Sequence, residues 1–353
     1  MGSNEAIRTY KKYIRSKVII IILLAGATLL MMLVAVSLGS SGLSMTETIL
    51  ALFGKGTLQS NTVVWNLRLP RVVTAVAGGI GLAAVGCVMQ NVLRNPLASS
   101  STLGVSQGAA FGASVAIICL GAGLQSQTAE AITIINPYLI SICAFTGSML
   151  STLVVLGLSR FRRVTPEAMV LSGVALSALF SGGTTLLQYF ADDVKIAAVV
   201  FWTFGELGRT SWREIAIIAV VAALAFVYFL YNRWNYNALE SGEHSAAGLG
   251  VNVDFLRLFS MIVCSFTAAV IVSFVGIINF IGLIAPHVMR KVIGNDYRYL
   301  LPASSLAGAL MLLASDIVAR MATAPVILPI GAITSFLGAP LFLYLLFRGV
   351  SHK

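Results

Sequence analysis

Residues 258–289 form a stretch of 32 residues that contains no Asp, Glu, Lys or Arg. A helix needs about 20 apolar residues to cross the bilayer core, so a single helix of this length would overshoot the membrane even if it were tilted. Gly276 and Gly282 lie inside the stretch, and Pro286 lies near its end. We therefore predict two membrane-spanning helices here, separated at about residues 273–277.

Similar charge-free runs recur along the whole chain. They predict ten membrane-spanning helices at about residues 18–38, 66–89, 101–122, 134–158, 167–190, 214–232, 256–274, 277–292, 300–320 and 330–348. The composition agrees, because 58% of the 353 residues are apolar and 10% are charged, against about 25% charged in soluble domains. We predict an all-α polytopic membrane protein with one ten-helix domain over residues 18–348, a cytoplasmic basic segment at 1–17 and a cytoplasmic tail at 349–353. This composition leaves no room for a separate soluble catalytic domain of about 100 residues.

The positive-inside rule orients these helices. With ten spans and a cytoplasmic N-terminus, 16 of the 23 Lys and Arg residues fall on the inner side. A nine-span arrangement would place 11 inside and 12 outside, which removes the bias. The first apolar run is also longer than that of a signal peptide, which has about 7–15 residues. We therefore expect a retained first span and cytoplasmic termini, and the net charge of +10 then lies on the inner face.

The chain lacks the groups that ion coupling or ATP binding would require. Ion-coupled transporters usually keep ionisable side chains near the midplane, and the predicted helix interiors have no Asp, Glu, Lys or Arg there. A phosphate-binding loop requires a Gly-Lys-Ser/Thr run, whereas Gly54 and Lys55 are followed by Gly56. The three His and four Cys residues are scattered and lack metal-ligand spacing. We predict a chain that is not an enzyme and has no metal or cofactor of its own.

Three arginines stand on the predicted outer side against the overall charge bias. Arg68 and Arg71 lie at the outer end of the second span, and Arg320 lies four residues after Asp316. Arginines at this depth can extend to lipid phosphates, or they can bind the carboxylates of an external protein in a fork geometry. For Arg320, an ion pair with Asp316 on the helix surface is a further alternative.

Three more segments stand out, the first two of them on the predicted inner side. In the turn at 90–98, Pro96 disfavours helical structure at Asn95. The loop at 238–255 contains small and acidic residues that predict either a short amphipathic helix ending near Gly250 or a solvated connector. The last segment runs from 276 to 290 and continues to Pro302.

Taken in order, the segment at 66–71 that contains Arg68 and Arg71 and these three further segments resemble the permease subunits of ATP-driven importers for iron-siderophores, haem and cobalamin, the FecCD-type family. The resemblance covers about residues 18–348. It implies the architecture of a type II ABC importer permease, in which two permeases form a dimer around a central pathway. It also implies cytoplasmic ATP-binding subunits and an extracytoplasmic substrate-binding protein as partners, with ATP and Mg bound by the ATPase rather than by this chain.

By residue match, the resemblance assigns three groups of site residues. The groups are binding-protein docking by Arg68, Arg71 and Arg320; a cytoplasmic gate formed by Asn95, Leu97, Thr165 and Pro166; and an ATPase coupling loop with Glu240, Gly242, Ala246 and Gly250. The chain departs from the family pattern at Ile327, where Glu is common, and at Gln107, where Asn or Ser is common.

The resemblance implies import of a metal chelate across the bacterial plasma membrane, with an iron(III)-siderophore expected first and haem or cobalamin as alternatives. The partner permease is either a second copy of this chain or a homologous chain. An ion-coupled secondary transporter is the alternative from a different class, and a membrane-embedded enzyme lacks any grouped catalytic residues. Reversal of Arg68 and Arg71 to Glu is expected to weaken docking while leaving folding intact.

Overall fold

The computed structural model describes residues 3–39, 43–122, 136–162, 165–324 and 326–350. These residues form helices and contain no strand. The helices are α1 (Ser3–Ser37), α2 (Met45–Leu52), α3 (Leu58–Val63), α4 (Leu69–Val92), α5 (Val105–Ser114), α6 (Pro137–Arg162), α7 (Pro166–Tyr189), α8 (Asp193–Thr203), α9 (Trp212–Tyr231), α10 (Arg233–Glu240), α11 (Glu243–Gly248), α12 (Val253–Val275), α13 (Ile281–Ile293), α14 (Tyr297–Met321) and α15 (Ile330–Val350). Two single π-helical turns, Val64–Arg68 and Val115–Cys119, precede α4 and follow α5.

The order of the helices follows the ten predicted spans. Seven helical segments are long and apolar enough to cross a membrane, and they include α1, the continuous run Leu58–Val92, α6, α7, α9, α12 and α14. Two shorter apolar helices, Val105–Cys119 and Ile330–Tyr344, together with α13, occupy the other three predicted positions. Each predicted segment therefore coincides with a helix, and the all-α fold is confirmed.

The break predicted inside residues 258–289 is also present. α12 ends at Val275, and Gly276 follows with a φ of 85°, which glycine adopts without steric cost. A Cβ atom added to Gly276 would lie 2.7 Å from the main-chain oxygen of Trp202. The main-chain nitrogen of Glu206 also donates a hydrogen bond of 2.8 Å to the oxygen of Val275. The chain after α8 thus packs against the break and holds α12 and α13 apart.

α4 is the central helix, and it packs against α9, α12, α13 and α14. Its glycines allow main chains to touch: a Cβ atom at Gly79 would lie 2.6 Å from the oxygen of Gly308 in α14, and one at Gly86 would collide with the oxygen of Gly282 in α13. Close approach of small residues is a main source of helix packing in lipid. These contacts fix α4, and therefore the turn that follows it, relative to the helices around it.

Candidate functional site

The residues predicted from sequence lie at the two ends of the helix bundle. We call the end predicted to face the cytoplasm the inner end, and the opposite one the outer end. The two ends differ in how their charged side chains are paired.

At the outer end, Asp316 of α14 is completely buried and lies between two arginines. Its Oδ1 accepts a hydrogen bond of 2.6 Å from Arg71 Nε, and its Oδ2 lies 2.9 Å from Arg320 Nε. The ion pair considered for Arg320 and Asp316 is therefore present, but it is buried rather than on the helix surface. Arg71 joins it from α4, a contact across 245 residues of sequence.

Two of these arginines also bind the outer end of α1. Arg68 and Arg320 donate hydrogen bonds of 2.7 to 3.0 Å to the main-chain oxygens of Ala35, Val36, Ser37 and Leu38. The last carbonyls of a helix lack partners within the helix and carry partial negative charge. The two guanidinium groups therefore complete and stabilise the end of α1.

Arg68, Arg71, Arg320 and Asp316 together form what we call the outer arginine cluster. All three arginines are buried, and their contacts described above lie within the chain. These contacts give the arginines a structural role that the sequence indicated only for Arg320. Their predicted role in docking a binding protein stays a prediction.

At the inner end, the turn at residues 93–98, which we call the gate turn, follows α4 directly. The Oδ1 atom of Asn95 accepts a hydrogen bond of 2.8 Å from the main-chain nitrogen of Leu97, and the main-chain nitrogen of Asn95 donates to the oxygen of Gln90 at 3.1 Å. α4 ends at Val92, as the effect of Pro96 predicted. The Leu97 side chain is left 43% exposed, so it is free to contact another molecule.

Thr165 and Pro166, the second predicted gate pair, begin α7. Thr165 Oγ1 accepts a hydrogen bond of 3.4 Å from the main-chain nitrogen of Ala168, and Pro166 takes the first helical position, which suits its fixed φ. An open cleft of about 750 Å³ lies between these two residues, Arg94 of the gate turn, and residues 241–245. Asn95 and Leu97 do not line this cleft.

We call residues 240–250 the coupling segment. Glu240 ends α10, Gly242 makes a turn with a φ of 114°, and α11 follows before Gly250, whose φ is 85°. The predicted short helix is therefore present as α11. Ala246 is completely buried, whereas Gly250 is exposed and its neighbour Leu249 has 73% of its surface exposed. The apex at Leu249 and Gly250, rather than Ala246, is accessible to a partner.

α10 is bound to the start of α14. Asn237 Nδ2 donates a hydrogen bond of 3.0 Å to Asp296 Oδ1, and the main-chain nitrogen of Tyr297 donates to Asn237 Oδ1 at 2.8 Å. Burial alone would raise the pKa of Asp296, but hydrogen bonds from Arg298 and Asn237 outweigh it and lower the pKa below its usual value. Asp296 therefore stays ionised at neutral pH and holds α10 against the bundle.

The exposed face of α7 is a feature that sequence reasoning did not single out. α7 packs mainly on α5 and on the turn Ser101–Leu103 before it, and its open side carries Ser181, Gly182 and Thr185 between leucines. The equally exposed α1 presents large aliphatic side chains such as Leu23 and Leu29, which suit lipid. Small and polar residues suit a water-lined space or a closely packed second helix instead. The run Ser181-Gly182-Gly183-Thr184-Thr185 was the signal in the sequence.

Within the described ranges, no group of three or more His, Cys, Asp or Glu residues is arranged to hold a metal ion. Cys87 and Cys264 are buried, Cys143 is partly buried and Cys119 is exposed, all as free thiols.

Residues 16–348 match the model of the FecCD transport family. A protein of Methanocaldococcus jannaschii that is named as an ABC transporter permease is 50% identical over 339 residues, which cover 96% of this chain and 97% of the relative. The hemin transport system permease protein HmuU of Yersinia pestis is 33% identical over 91% of this chain and 94% of its own length. The Fe(3+)-citrate import system permease protein YfmE of Bacillus subtilis is 33% identical over 92% of this chain and 94% of its own.

A solved structure is similar over almost the whole fold. It is an ABC transporter described as being of metal-chelate type, in an inward-facing conformation. It superimposes with a TM-score of 0.79 at 29% identity, covering 94% of this chain and 100% of the solved one.

Proposed function

The chain belongs to the FecCD transport family, and from that premise we propose that it is the membrane permease of an ATP-binding-cassette importer for a metal chelate. Membership of this family makes it a multi-pass transport protein rather than an enzyme.

The cleft at the inner end is the observation that carries this proposal. It brings the gate turn, the start of α7 and the coupling segment around one open space. Residues 241–245 of the coupling segment share this cleft with Arg94 and with the start of α7. We propose that a subunit bound to the coupling segment acts on the two gate segments through these neighbouring residues.

The exposed face of α7 supports a pathway between two permeases. Its small and polar residues lie at the depth of the membrane, where a lipid-facing side chain is normally apolar. We propose that this face lines the pathway together with a second copy of the chain or a homologous permease. A neutral, roomy pathway fits a bulky chelate better than a bare ion, which needs charged or closely spaced ligands.

A partner must supply the energy, because no phosphate-binding loop occurs in the sequence. We propose that ATP and Mg bind to cytoplasmic ATPase subunits that contact the coupling segment. The positive-inside distribution of Lys and Arg supports a cytoplasmic position for both termini.

An iron(III)-siderophore is the proposed substrate, and haem and cobalamin are the alternatives. Two relatives are named for iron-containing cargo, hemin and Fe(3+)-citrate. Both cargoes are iron bound in an organic ligand, which supports a chelate rather than a free ion.

Reconstitution tests the proposal. The chain is placed in liposomes with the ATPase and the binding protein encoded beside it, and uptake of radiolabelled chelates is measured with ATP or a non-hydrolysable analogue. We expect uptake only with ATP and the binding protein. Uptake by the permease alone, driven by an ion gradient, would identify a secondary transporter instead.

A further inference from the structure

Asn91 and Glu240 connect the gate turn to the coupling segment. Asn91 lies in the last turn of α4 and is buried. Its Nδ2 donates hydrogen bonds to Glu240 Oε2 at 3.1 Å and to the main-chain oxygen of Tyr236 at 3.2 Å. Both acceptors belong to α10, so the helix that leads into the gate turn is bonded directly to the helix that leads into the coupling segment.

Glu240 also contacts a third part of the bundle. Its Oε1 accepts a hydrogen bond of 2.9 Å from Asn295 Nδ2 and lies 3.6 Å from Arg290 Nη1. Arg290 is in the last turn of α13, and Asn295 lies in the turn before α14. One carboxylate therefore joins the inner ends of α4 and α13 and the turn before α14 to α10.

A second set of contacts also links the coupling segment to the end of α4. Glu243 of α11 pairs with Arg257 of α12, and Arg257 Nε donates a hydrogen bond of 3.0 Å to the main-chain oxygen of Val92. The coupling segment is thus linked to the end of α4 twice, through Glu240 at the end of α10 and through Glu243 of α11.

The surroundings of Glu240 leave room for a second arrangement. An open cleft of about 300 Å³ lies beside it and is lined in part by Gln90, Asn91 and Arg290. The buried atoms Gln90 Oε1, Asn91 Oδ1 and Arg290 Nε have no hydrogen-bond partner in the protein. Fully paired buried networks make a structure rigid, and the network around Glu240 is not fully paired.

We propose that the Asn91–Glu240 hydrogen bond is the joint through which movement of the coupling segment reaches the gate turn, and that Glu240 releases Asn91 and keeps Arg290 when the segment moves. Both act as positioning residues, because their contacts described above are with other parts of the chain. The proposal rests on the function proposed above, since it requires an ATPase bound at the coupling segment.

A double-mutant cycle on the purified chain tests the contact without any ATPase. The thermal midpoints of Asn91→Ala, Glu240→Ala and the double variant are compared in detergent. Because the two side chains share one bond, we expect the double variant to lose less than the two single losses combined. The pair Asn91→Ala and Asp192→Ala is the control, since Asp192 is largely exposed and pairs with Lys195 away from the inner end, and its losses should add. Additive losses for Asn91 and Glu240 would overturn the joint.

The reconstituted importer tests the coupling. The readout is the number of ATP molecules hydrolysed per chelate imported, measured together with the amount of ATPase bound. For Asn91→Ala and Glu240→Gln we expect the ratio to rise about tenfold, because a hydrogen bond to a charged group is lost from the coupling path, while ATPase binding and hydrolysis stay close to those of the unmodified complex. The control, Asp192→Asn, removes the same charge from an exposed residue that pairs with Lys195 and should leave the ratio unchanged.

The outcomes separate this proposal from the function on which it rests. An unchanged ratio in both joint variants of a working importer would overturn the joint alone. Failure of the unmodified complex to import any chelate would overturn the proposed function and the joint with it. A purely structural role for Asn91 would lower the thermal midpoint and the amount of complex without changing the ratio.

Discussion

The outer arginine cluster and the inner joint are both built from charged side chains, but their pairing differs. In the outer cluster, a completely buried Asp316 pairs with Arg71 and Arg320, and two of the cluster's arginines hold the end of α1. At the inner joint, Glu240 is partly exposed, sits at the end of a short helix and is surrounded by unpaired polar atoms. The first arrangement is suited to a fixed anchor, and the second to a part that moves.

The difference follows from the cost of burying charge. A buried carboxylate between two cations cannot leave its site without exposing all three charges to an apolar environment. A half-exposed carboxylate keeps water as an alternative partner and can change contacts cheaply. We therefore expect substitutions at the outer cluster to act on stability, and substitutions at the inner end to act on coupling and assembly.

Substitution Asp316→Asn should have the largest effect on stability. It leaves two buried arginines without their counter-charge, which typically costs about 3–5 kcal/mol. We expect little folded protein, measured as the monodisperse fraction in size-exclusion chromatography. The control Asp192→Asn removes a largely exposed carboxylate that pairs with Lys195 at 3.4 Å and should change little. A stable Asp316→Asn variant would refute the claim that the outer arginine cluster anchors the fold.

Substitution Arg68→Ala should have the next largest effect. It removes hydrogen bonds to the end of α1 and should cost about 1–2 kcal/mol, visible as a lower thermal midpoint and faster proteolysis near residue 38. For the same reason, the contacts predict that reversal of Arg68 and Arg71 to Glu impairs folding, unlike the expectation from sequence alone. Normal stability combined with weaker binding-protein affinity would favour docking instead.

Acidification should have a smaller effect at Asp296 of the inner end. Because the folded-state pKa of Asp296 is lowered, its contribution to stability is present above its unfolded pKa of about 3.9 and is lost as the pH falls through the lower folded value. We expect Asp296→Asn to remove this part of the acid sensitivity, worth less than about 1 kcal/mol. Thermal midpoints measured between neutral and acidic pH compare the variant with the unmodified chain.

Substitution Leu249→Arg should have almost no effect on stability, within about 0.5 kcal/mol, because the side chain is exposed. It places a charge at the apex of the coupling segment, so co-purification of the ATPase should fall strongly while the thermal midpoint stays unchanged. The exposed residue Leu58 at the start of α3 gives a matched control, since Leu58→Arg places the same charge on an exposed leucine far from the apex. Normal ATPase binding by the Leu249→Arg variant would show that the ATPase contacts another part of the chain.

The sequence was most informative where the membrane restricts the choices. Lone charges are excluded from the bilayer, so charge-free runs located all ten long or apolar helices, and Gly276 located the break before α13. α8 was not predicted, because its 11 residues are too few to span a membrane and it is positioned by packing against α5.

The direction in which side chains point could not be predicted from charge-free runs in the sequence. Hydropathy gives the depth of Arg68 and Arg71 but not the side of the helix they occupy, and the partner of Arg71 lies 245 residues away. Asn91 lay inside a segment singled out from the sequence, yet its bond to Glu240 spans 149 residues. Such contacts depend on how distant helices meet, which single-chain patterns do not encode.

The π-helical turn Val64–Arg68 that leads into α4 amounts to one extra residue in an otherwise regular helix. Each residue advances an α-helix by about 100°, so this insertion sets the angular phase of everything before it relative to α4. Deletion of one residue between 64 and 67 would turn the preceding helix by that angle and would separate α3 from its present neighbours while leaving Arg71 in place. The number of residues in this short stretch, more than their identity, therefore determines how α3 is oriented relative to the bundle.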